Sequence, residues 1–573
     1  MRRPGWLLAG TALVLLLAGC TVGPSGRPEL IVRQQPVATT GPTASSAQQT
    51  PTGPGGPGQQ AAPIEWGACS PTYPDTDPAT GRSFELDCAG MRVPRDYQSA
   101  VAGTLAITVA RARTPKLPSD APDLVVVKGD PGENGSVAVA AVAAGLPAAI
   151  TDHYAIVVPD LRGTGAFNGI SCVDRQILTD LLAPAADPST DAGRTIADRL
   201  SRTLVLWCTA EVGPDLSRLD TQSAADDLDQ LRSAIGQDRL TFLGSGYGAT
   251  LGAVYTDRYP GRVAAAVLDS PADPLQPADK TAADQAAAAE KAFDEFAATC
   301  QTFDGGCPLG PDPRRSVQDL VGSLGEQGSA RGGQVVNAGT VLLALSAGLG
   351  RPDDWPALAT ALGAARDDDP TALVSLVQQQ AGGDERRQVL SGELAYLCND
   401  TAVRLGGDQL TKAAAAAKAQ SPLFGPFLLG QLSRCASWPA PQHPLGAVSG
   451  KGAPAVLVLG SVDDPIPGYR AAQAVAGQLS SAVLVTWQSG THGAYPASSC
   501  MAGLVDDYLL HGTAPAAGTR ARPEPGPTKP PRHETPPRAP AGPPRVPWRS
   551  CPTTSITAGH PRWSNPTNNG GPN

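Results

Sequence analysis

Leu240-Thr241-Phe242-Leu243-Gly244-Ser245-Gly246-Tyr247-Gly248-Ala249-Thr250-Leu251-Gly252 reads as a short buried strand, a glycine-rich turn and the opening of a helix. Two chemistries use that shape. One is the nucleophile elbow G-x-S-x-G, whose small flanking residues permit a strained turn that presents an oxygen nucleophile at a helix N-terminus. The other is the dinucleotide fingerprint G-x-G-x-x-G/A, which Gly244, Gly246 and Ala249 satisfy, with Asp269 about 20 residues further on as the acidic residue that motif expects. Against the second reading, such a fingerprint usually opens its domain, whereas two buried strands precede this one.

Outward from the turn, short apolar runs bounded by turn residues recur at 124–127 (LVVV), 155–158 (AIVV), 263–268 (VAAAVL), 455–459 (AVLVL) and 483–487 (VLVTW). Runs of this kind mark strands of a parallel sheet buried on both faces. Helical patterns alternate with them at 223–235, 249–258, 469–479 and 499–510, so the expected fold class is α/β, a mostly parallel, doubly wound sheet. Thr104 to Val109 alternates instead and is expected as an antiparallel strand at the start of the sheet. From about Leu275 to Pro444 the strand signal gives way to Ala-rich amphipathic helices such as 281–299 and 411–419, which reads as a helical cap inserted between strands. A cap restricts substrate size and excludes water. The expected partition is therefore a first core segment at 64–274, a cap at 275–444 and a second core segment at 445–519.

The two ends differ from the body. Met1-Arg2-Arg3 and the apolar run Trp6 to Ala18 have the charged and hydrophobic regions of an export signal. The run ends in Leu17-Ala18-Gly19-Cys20, which resembles the bacterial lipobox, where cleavage before the cysteine is followed by acylation of its thiol. The expectation is a signal peptide at 1–19 and a body anchored through lipid on Cys20 at the extracytoplasmic face of the cell membrane. A plain transmembrane anchor is the alternative, though the run falls short of the ~20 apolar residues a span needs. Residues 20–63, rich in Pro, Gly, Ser, Thr and Gln, read as a tether, and the Pro- and Arg-rich 520–573 as a disordered tail.

The formal net charge of −9 argues against a nucleic-acid partner, which needs a clustered excess of Lys and Arg. Eleven cysteines less Cys20 leave an even number in an oxidising compartment. Taken as neighbours they pair Cys69–Cys88, Cys172–Cys208, Cys300–Cys307, Cys398–Cys435 and Cys500–Cys551, although the sequence does not prove that connectivity. No C-x-x-C pair or H-E-x-x-H helix calls for a metal, no cofactor is expected, and the body is expected to be a monomer.

Longer stretches carry a resemblance. Ser223 to Gly236 (SAADDLDQLRSAIG), the glycine-rich turn and Tyr255 to Pro274 (YTDRYPGRVAAAVLDSPADP) together resemble the elbow region of secreted tripeptidyl aminopeptidases and their proline iminopeptidase relatives, α/β-hydrolases of the peptidase S33 type. Asp160-Leu161-Arg162-Gly163-Thr164-Gly165 is similar to their D-x-R-G-x-G turn and Gly460-Ser461-Val462-Asp463 to their acid-bearing loop. Thr491-His492-Gly493, with Ser499-Cys500 and Tyr508 to Gly512, resembles their C-terminal segment. The resemblance runs from about Trp66 to Thr519. It implies hydrolysis of an amide at a peptide N-terminus, in which a serine attacks, a histidine takes its proton and a carboxylate fixes the histidine. It casts His492 as the base and Asp463 as the acid, in the chain order Ser, Asp, His. It also implies an oxyanion site at Gly129, Asp130 and Tyr247. Asp400, in Leu397-Cys398-Asn399-Asp400, matches a cap C-x-D element that could receive the substrate's α-ammonium, or it lies at the surface beside a disulfide.

Three departures from the pattern stand out. Aligning Gly244 and Tyr247-Gly248 with G-x-S-Y-G puts the nucleophile position at Gly246, where the serine is missing. Ser245 could substitute in principle, but in a strand-to-helix elbow the preceding residue points elsewhere, and a shift of 1 Å can cost about 10²-fold. The family's G-G-P-G-x-S-G becomes Gly129-Asp130-Pro131-Gly132-Glu133-Asn134-Gly135, so Asp130 and Glu133 either bring negative charge to the oxyanion site or point to solvent. The family cysteine that bonds the equivalent of Cys500 is absent, and Cys551 either reaches back to it or leaves it without a partner. The expected function is a tripeptidyl aminopeptidase-like hydrolase, inactive or strongly impaired and kept as a peptide-binding protein. The alternatives are an active hydrolase using Ser245 or water, and dinucleotide binding.

Overall fold

The computed structural model describes residues 61–522 apart from 100, 101, 382, 463, 465–467 and 490. The expected signal peptide, Cys20, the tether up to residue 60, Asp463 and the tail from residue 523 lie outside the described residues. One large sheet contains β1 (Gly67–Ala68), β2 (Glu85–Pro94), β3 (Thr104–Arg113), β4 (Asp123–Gly129), β5 (Ala155–Pro159), β6 (Leu240–Gly246) and β7 (Val263–Asp269). A cap hairpin, β8 (Ser329–Arg331) and β9 (Gln334–Val336), follows in the chain, and β10 (Val456–Ser461), β11 (Ala482–Trp487) and β12 (Arg520–Ala521) complete the sheet. Its order is β1-β2-β3-β5-β4-β6-β7-β10-β11-β12. The first three pairings are antiparallel and the rest parallel. This is the expected α/β class, a mostly parallel sheet covered by helices.

Side-chain alternation along each strand builds two separate cores, because successive residues face opposite sides of a sheet. Val125, Val127, Leu240, Phe242, Leu268 and Val458 belong to one. Leu124, Val126, Leu243, Val267, Leu457 and Leu459 belong to the other. The first core is closed by helices Thr221–Ala234, Tyr247–Arg258 and Tyr469–Gln478, the second by Val139–Ala144 and Ser499–His511. A third core, with Phe293, Phe296, Leu345, Leu362 and Phe424, lies within the helical segment between β7 and β10.

The outcome differs from the sequence reading in three places. The cap is not wholly helical, since β8 and β9 pair antiparallel within it. β2 is not among the strands the sequence predicts, because its central Cys88-Ala89-Gly90 lacks the bulky β-branched side chains that mark a strand. At the other edge β12 pairs in parallel with Thr486 and Trp487, so the ordered sheet runs past the boundary expected at residue 519. Cys69–Cys88, Cys172–Cys208, Cys300–Cys307 and Cys398–Cys435 are bonded as expected. Cys500 is disulfide-bonded too, and its expected partner Cys551 lies outside the described residues.

Candidate active site

β6 ends at Gly246 and the helix Tyr247–Arg258 begins at the next residue, so the chain reverses within a single peptide. Gly246 makes this turn with φ +60° and ψ −121°, a conformation L side chains rarely adopt. The flanking glycines are needed for closeness: a Cβ at Gly248 would collide with the carbonyl oxygen of Val127 on β4, and one at Gly244 with that of Gly248. Tyr247, as the first helical residue, has a backbone N–H without an intrahelical acceptor, the usual condition of a helix start.

His492 lies on the loop after β11, with its side chain 43% exposed. Its Nδ1 is 3.1 and 3.0 Å from the two carboxylate oxygens of Asp464, on the loop after β10. The resemblance points to Asp463 for this position. Its neighbour Asp464, almost fully buried, makes the contact, while Asp463 lies outside the described residues. The identities of two adjacent aspartates do not say which of them meets the histidine. Burial alone would lower the pKa of His492, but the hydrogen bond and charge of Asp464 and the charges of Asp269 and Asp130 outweigh it and raise the imidazole above its ordinary value.

His492 Nε2 turns toward the elbow. A Cβ at Gly246 would lie 3.6 Å from this nitrogen and 4.0 Å from the carbonyl oxygen of Gly129, ordinary van der Waals distances that leave room for a side chain. Ser245 falls on the other parity of β6, with Leu243, and pairs across the sheet with Lys128 and Asp269. No hydrogen bond joins Ser245 to His492 among the described residues. Gly129, Asp130, Glu133, Ser245, Gly246 and His492 line one open cavity of ≈ 750 Å³. The carboxylate of Glu133 folds directly over the α-carbon of Gly129, so this loop does carry negative charge at the groove.

Buried polar groups hold these pieces in place. Asp160 accepts the Ser136 N–H at 2.8 Å and the Ser136 hydroxyl at 2.9 Å, which ties down the far end of the Gly129 loop. Burial raises its carboxyl to about 6. Arg162, in the same D-x-R-G-x-G turn, is fully buried and bonds both oxygens of Asp227 on the helix Thr221–Ala234 at 2.8 and 2.6 Å. Asp269, which the dinucleotide reading would place on a ribose, instead accepts the N–H groups of Ala494 and Tyr495, just beyond His492. The sequence offered a signal for it, an acid ending a buried strand, but not its use.

Asp400 lies at the end of the cap helix Gly383–Asp400. Its two oxygens accept the Thr221 N–H at 2.9 Å and the Thr221 hydroxyl at 2.6 Å, and that hydroxyl is 2.7 Å from the phenol oxygen of Tyr247. Burial raises this carboxyl to about 7. Asp400 is thus held against the helix that precedes the elbow, each of its oxygens accepting one hydrogen bond from Thr221.

A strand-turn-helix elbow, a histidine after β11 and a carboxylate after β10, all at the C-terminal edge of a mostly parallel sheet, define an α/β-hydrolase. Residues 124–310 match the family model described as alpha/beta hydrolase fold, and residues 421–521 the one described as TAP-like protein. The chain is 30% identical over 511 residues to carboxylesterase B of Mycobacterium tuberculosis, covering 83% of this chain and 92% of that one. It is 28% identical over 486 residues to serine protease Hip1 of the same species, covering 80% and 91%. Against tripeptidyl aminopeptidase of Streptomyces lividans it is 27% identical over 479 residues, covering 81% and 87%. The chain belongs to the α/β-hydrolase family, with a TAP-like C-terminal region.

Proposed function

We propose that this chain is a tripeptidyl aminopeptidase-like α/β-hydrolase in which Gly246 stands at the nucleophile's position, so that amide hydrolysis is lost or strongly impaired and the site serves to bind peptides. One observation carries the reading: a Cβ at Gly246 would lie 3.6 Å from His492 Nε2, so the position has room for a side chain that faces the histidine and carries none. His492 is the base of that site and Asp464 its positioning acid. The Tyr247 N–H and the Gly129–Asp130 loop form its oxyanion side. The relatives named serine protease and tripeptidyl aminopeptidase support a peptide as the ligand. The lipobox-like Leu17-Ala18-Gly19-Cys20 supports lipid anchoring at the extracytoplasmic face, with the tether holding a monomeric body away from the membrane.

The test is hydrolysis of peptidyl p-nitroanilides with free N-termini, alongside calorimetric binding of the same peptides. Binding with no amide turnover is expected. Rapid tripeptide release together with labelling by a fluorophosphonate would overturn the reading. Detergent partitioning of the Cys20→Ser variant tests the anchor, and retention in the detergent phase would argue for a transmembrane segment instead.

A further inference from the structure

We infer that His492, with the carbonyl of Gly129, forms a water-activating site at Gly246 that hydrolyses activated esters in one step, without an acyl-enzyme. The inference rests on Gly246 being the nucleophile position and adds an activity to that reading.

The place where a Gly246 side chain would begin is bordered by few atoms. Apart from the glycine and its chain neighbours, His492 Nε2 at 3.6 Å and Gly129 O at 4.0 Å are the only heavy atoms within 4 Å among the described residues. Both are polar, and both are suited to accept. Nδ1 of His492 faces two carboxylate oxygens of Asp464, so in the neutral ring it is Nδ1 that carries the hydrogen and Nε2 that keeps its lone pair. A water molecule needs two to four polar partners to be held. A water settled beyond that point, on the side away from the Gly246 α-carbon, comes within hydrogen-bonding reach of Nε2, donates one hydrogen to it and directs the other toward the Gly129 carbonyl, which leaves its lone pairs toward the ≈ 750 Å³ cavity that Gly246 and His492 line. A serine side chain would displace this water, whereas glycine admits it.

The step balances without a further reactant. A lone pair of the water forms the bond to the acyl carbon as a proton passes to Nε2, and the carbonyl π electrons move to oxygen near the Tyr247 N–H. When the tetrahedral species collapses, the bond to the alcohol oxygen breaks and that oxygen takes the proton from Nε2. The products are a carboxylic acid and an alcohol, with His492 neutral again. Two features make the reaction slow and restrict it to good leaving groups. The attacking oxygen is held by hydrogen bonds and not by a covalent tether, and the Asp130 and Glu133 charges oppose the oxyanion.

The full chain is assayed with p-nitrophenyl acetate by stopped flow, with and without phenylmethylsulfonyl fluoride. Expected are linear release of nitrophenol with no burst, no inhibition, and loss of about 10²-fold or more in His492→Ala, the scale of general-base catalysis. Gly246→Ala should suppress turnover by placing a methyl against the water's position. Because that alanine is also strained, Gly246→Ser is run beside it: a burst and a new sensitivity to the sulfonyl fluoride would show an intact elbow. If the wild type is no faster than His492→Ala while Gly246→Ser shows a burst, the water inference fails and the assignment of Gly246 stands. If the wild type itself shows a burst with an acyl adduct mapped to Ser245, both the inference and the assignment fail.

Discussion

The carboxylate of Asp269, buried at the end of β7, accepts hydrogen bonds from the backbone N–H of Ala494 at 3.0 and 2.9 Å, two residues beyond His492. The strand that follows the elbow helix thus grips the histidine loop from behind, and burial raises this carboxyl to about 6. Asp269→Ala would leave two N–H groups, those of Ala494 and Tyr495, without an acceptor. A loss of about 1–3 kcal/mol is expected in urea unfolding, the usual penalty for an orphaned buried group. Made in the Gly246→Ser background, the same change should lower kcat more than it raises KM. An unchanged kcat would show that the loop keeps its place without Asp269.

Restoring the serine is the most direct test of the elbow. A complete triad contributes on the order of 10⁶ in kcat, so even an imperfect Gly246→Ser enzyme should exceed the wild type by about 10² or more on peptidyl or ester substrates. His492→Ala should silence it. Asp464→Asn should silence it nearly as well and shift the pH–rate profile, because the amide no longer fixes the Nδ1–H tautomer; the loss should follow Asp464 and not Asp463. Asp130→Gly should then raise kcat with little change in substrate binding, by removing a charge from the oxyanion side.

The fold was legible because its information is redundant. Six buried apolar runs and four amphipathic helices all point to one sheet, and a boundary wrong by three residues, as between Thr281 and Ala278 at the first cap helix, moves nothing. Of the candidate site, the sequence reading singled out Gly246 and His492, and the fold brings these two positions together. The reading failed where a single side-chain direction decides. Asp463 and Asp464 have the same chemistry and sit one residue apart, so identity alone does not say which of them meets His492; the carboxylate of Asp464 does. Asp400 was placed correctly in the cap, but its partner Thr221 lies 179 residues away in sequence, beyond any local pattern.

The dependence on pH follows from the environment of His492. Burial tends to depress its pKa, but Asp464 from the β10 loop, Asp269 from the end of β7 and Asp130 from the β4 loop together raise it above the usual 6.5 or so. Glu133 and Lys128 line the same cavity with opposite charges. Only the neutral ring can accept a proton, so kcat/KM of the Gly246→Ser enzyme should rise with pH through a midpoint above about 6.5 and level off beyond it. Asp130→Gly should lower that midpoint. A midpoint below 6 would mean that desolvation dominates after all.

Among the disulfides, those closing longer segments should matter most. Cys172–Cys208 and Cys398–Cys435 span 36 and 37 residues, Cys300–Cys307 only 7. Loop-closure entropy puts the first two at about 4 kcal/mol each and the last at about 2. Paired Cys→Ala variants followed by urea unfolding should keep that order. The reverse order would place the effect in native contacts and not in the unfolded chain.

The last prediction concerns how the D-x-R-G-x-G turn supports the site from within the core. Arg162 is fully buried, its guanidinium bonds both oxygens of Asp227, and Asp227 also accepts the phenol of Tyr97 at 2.7 Å. The Arg162 carbonyl in turn accepts the Tyr396 hydroxyl at 3.1 Å, so one residue links the sheet edge, the helix before the elbow and the cap helix. A buried pair of this kind adds little net stability over apolar residues of the same size, yet breaking it is costly because the survivor keeps its charge without a partner. Arg162→Met should therefore destabilise by about 3–5 kcal/mol, while adding Asp227→Leu should recover much of that loss. If the double variant is as unstable as the single one, the turn depends on the other guanidinium bonds, to the Pro94 and Arg218 carbonyls at 3.3 and 3.2 Å, more than on the charge pair. The discriminating measurement is the double-mutant cycle in urea, read at a pH well above the carboxylate range so that Asp227 stays ionised in the unfolded state.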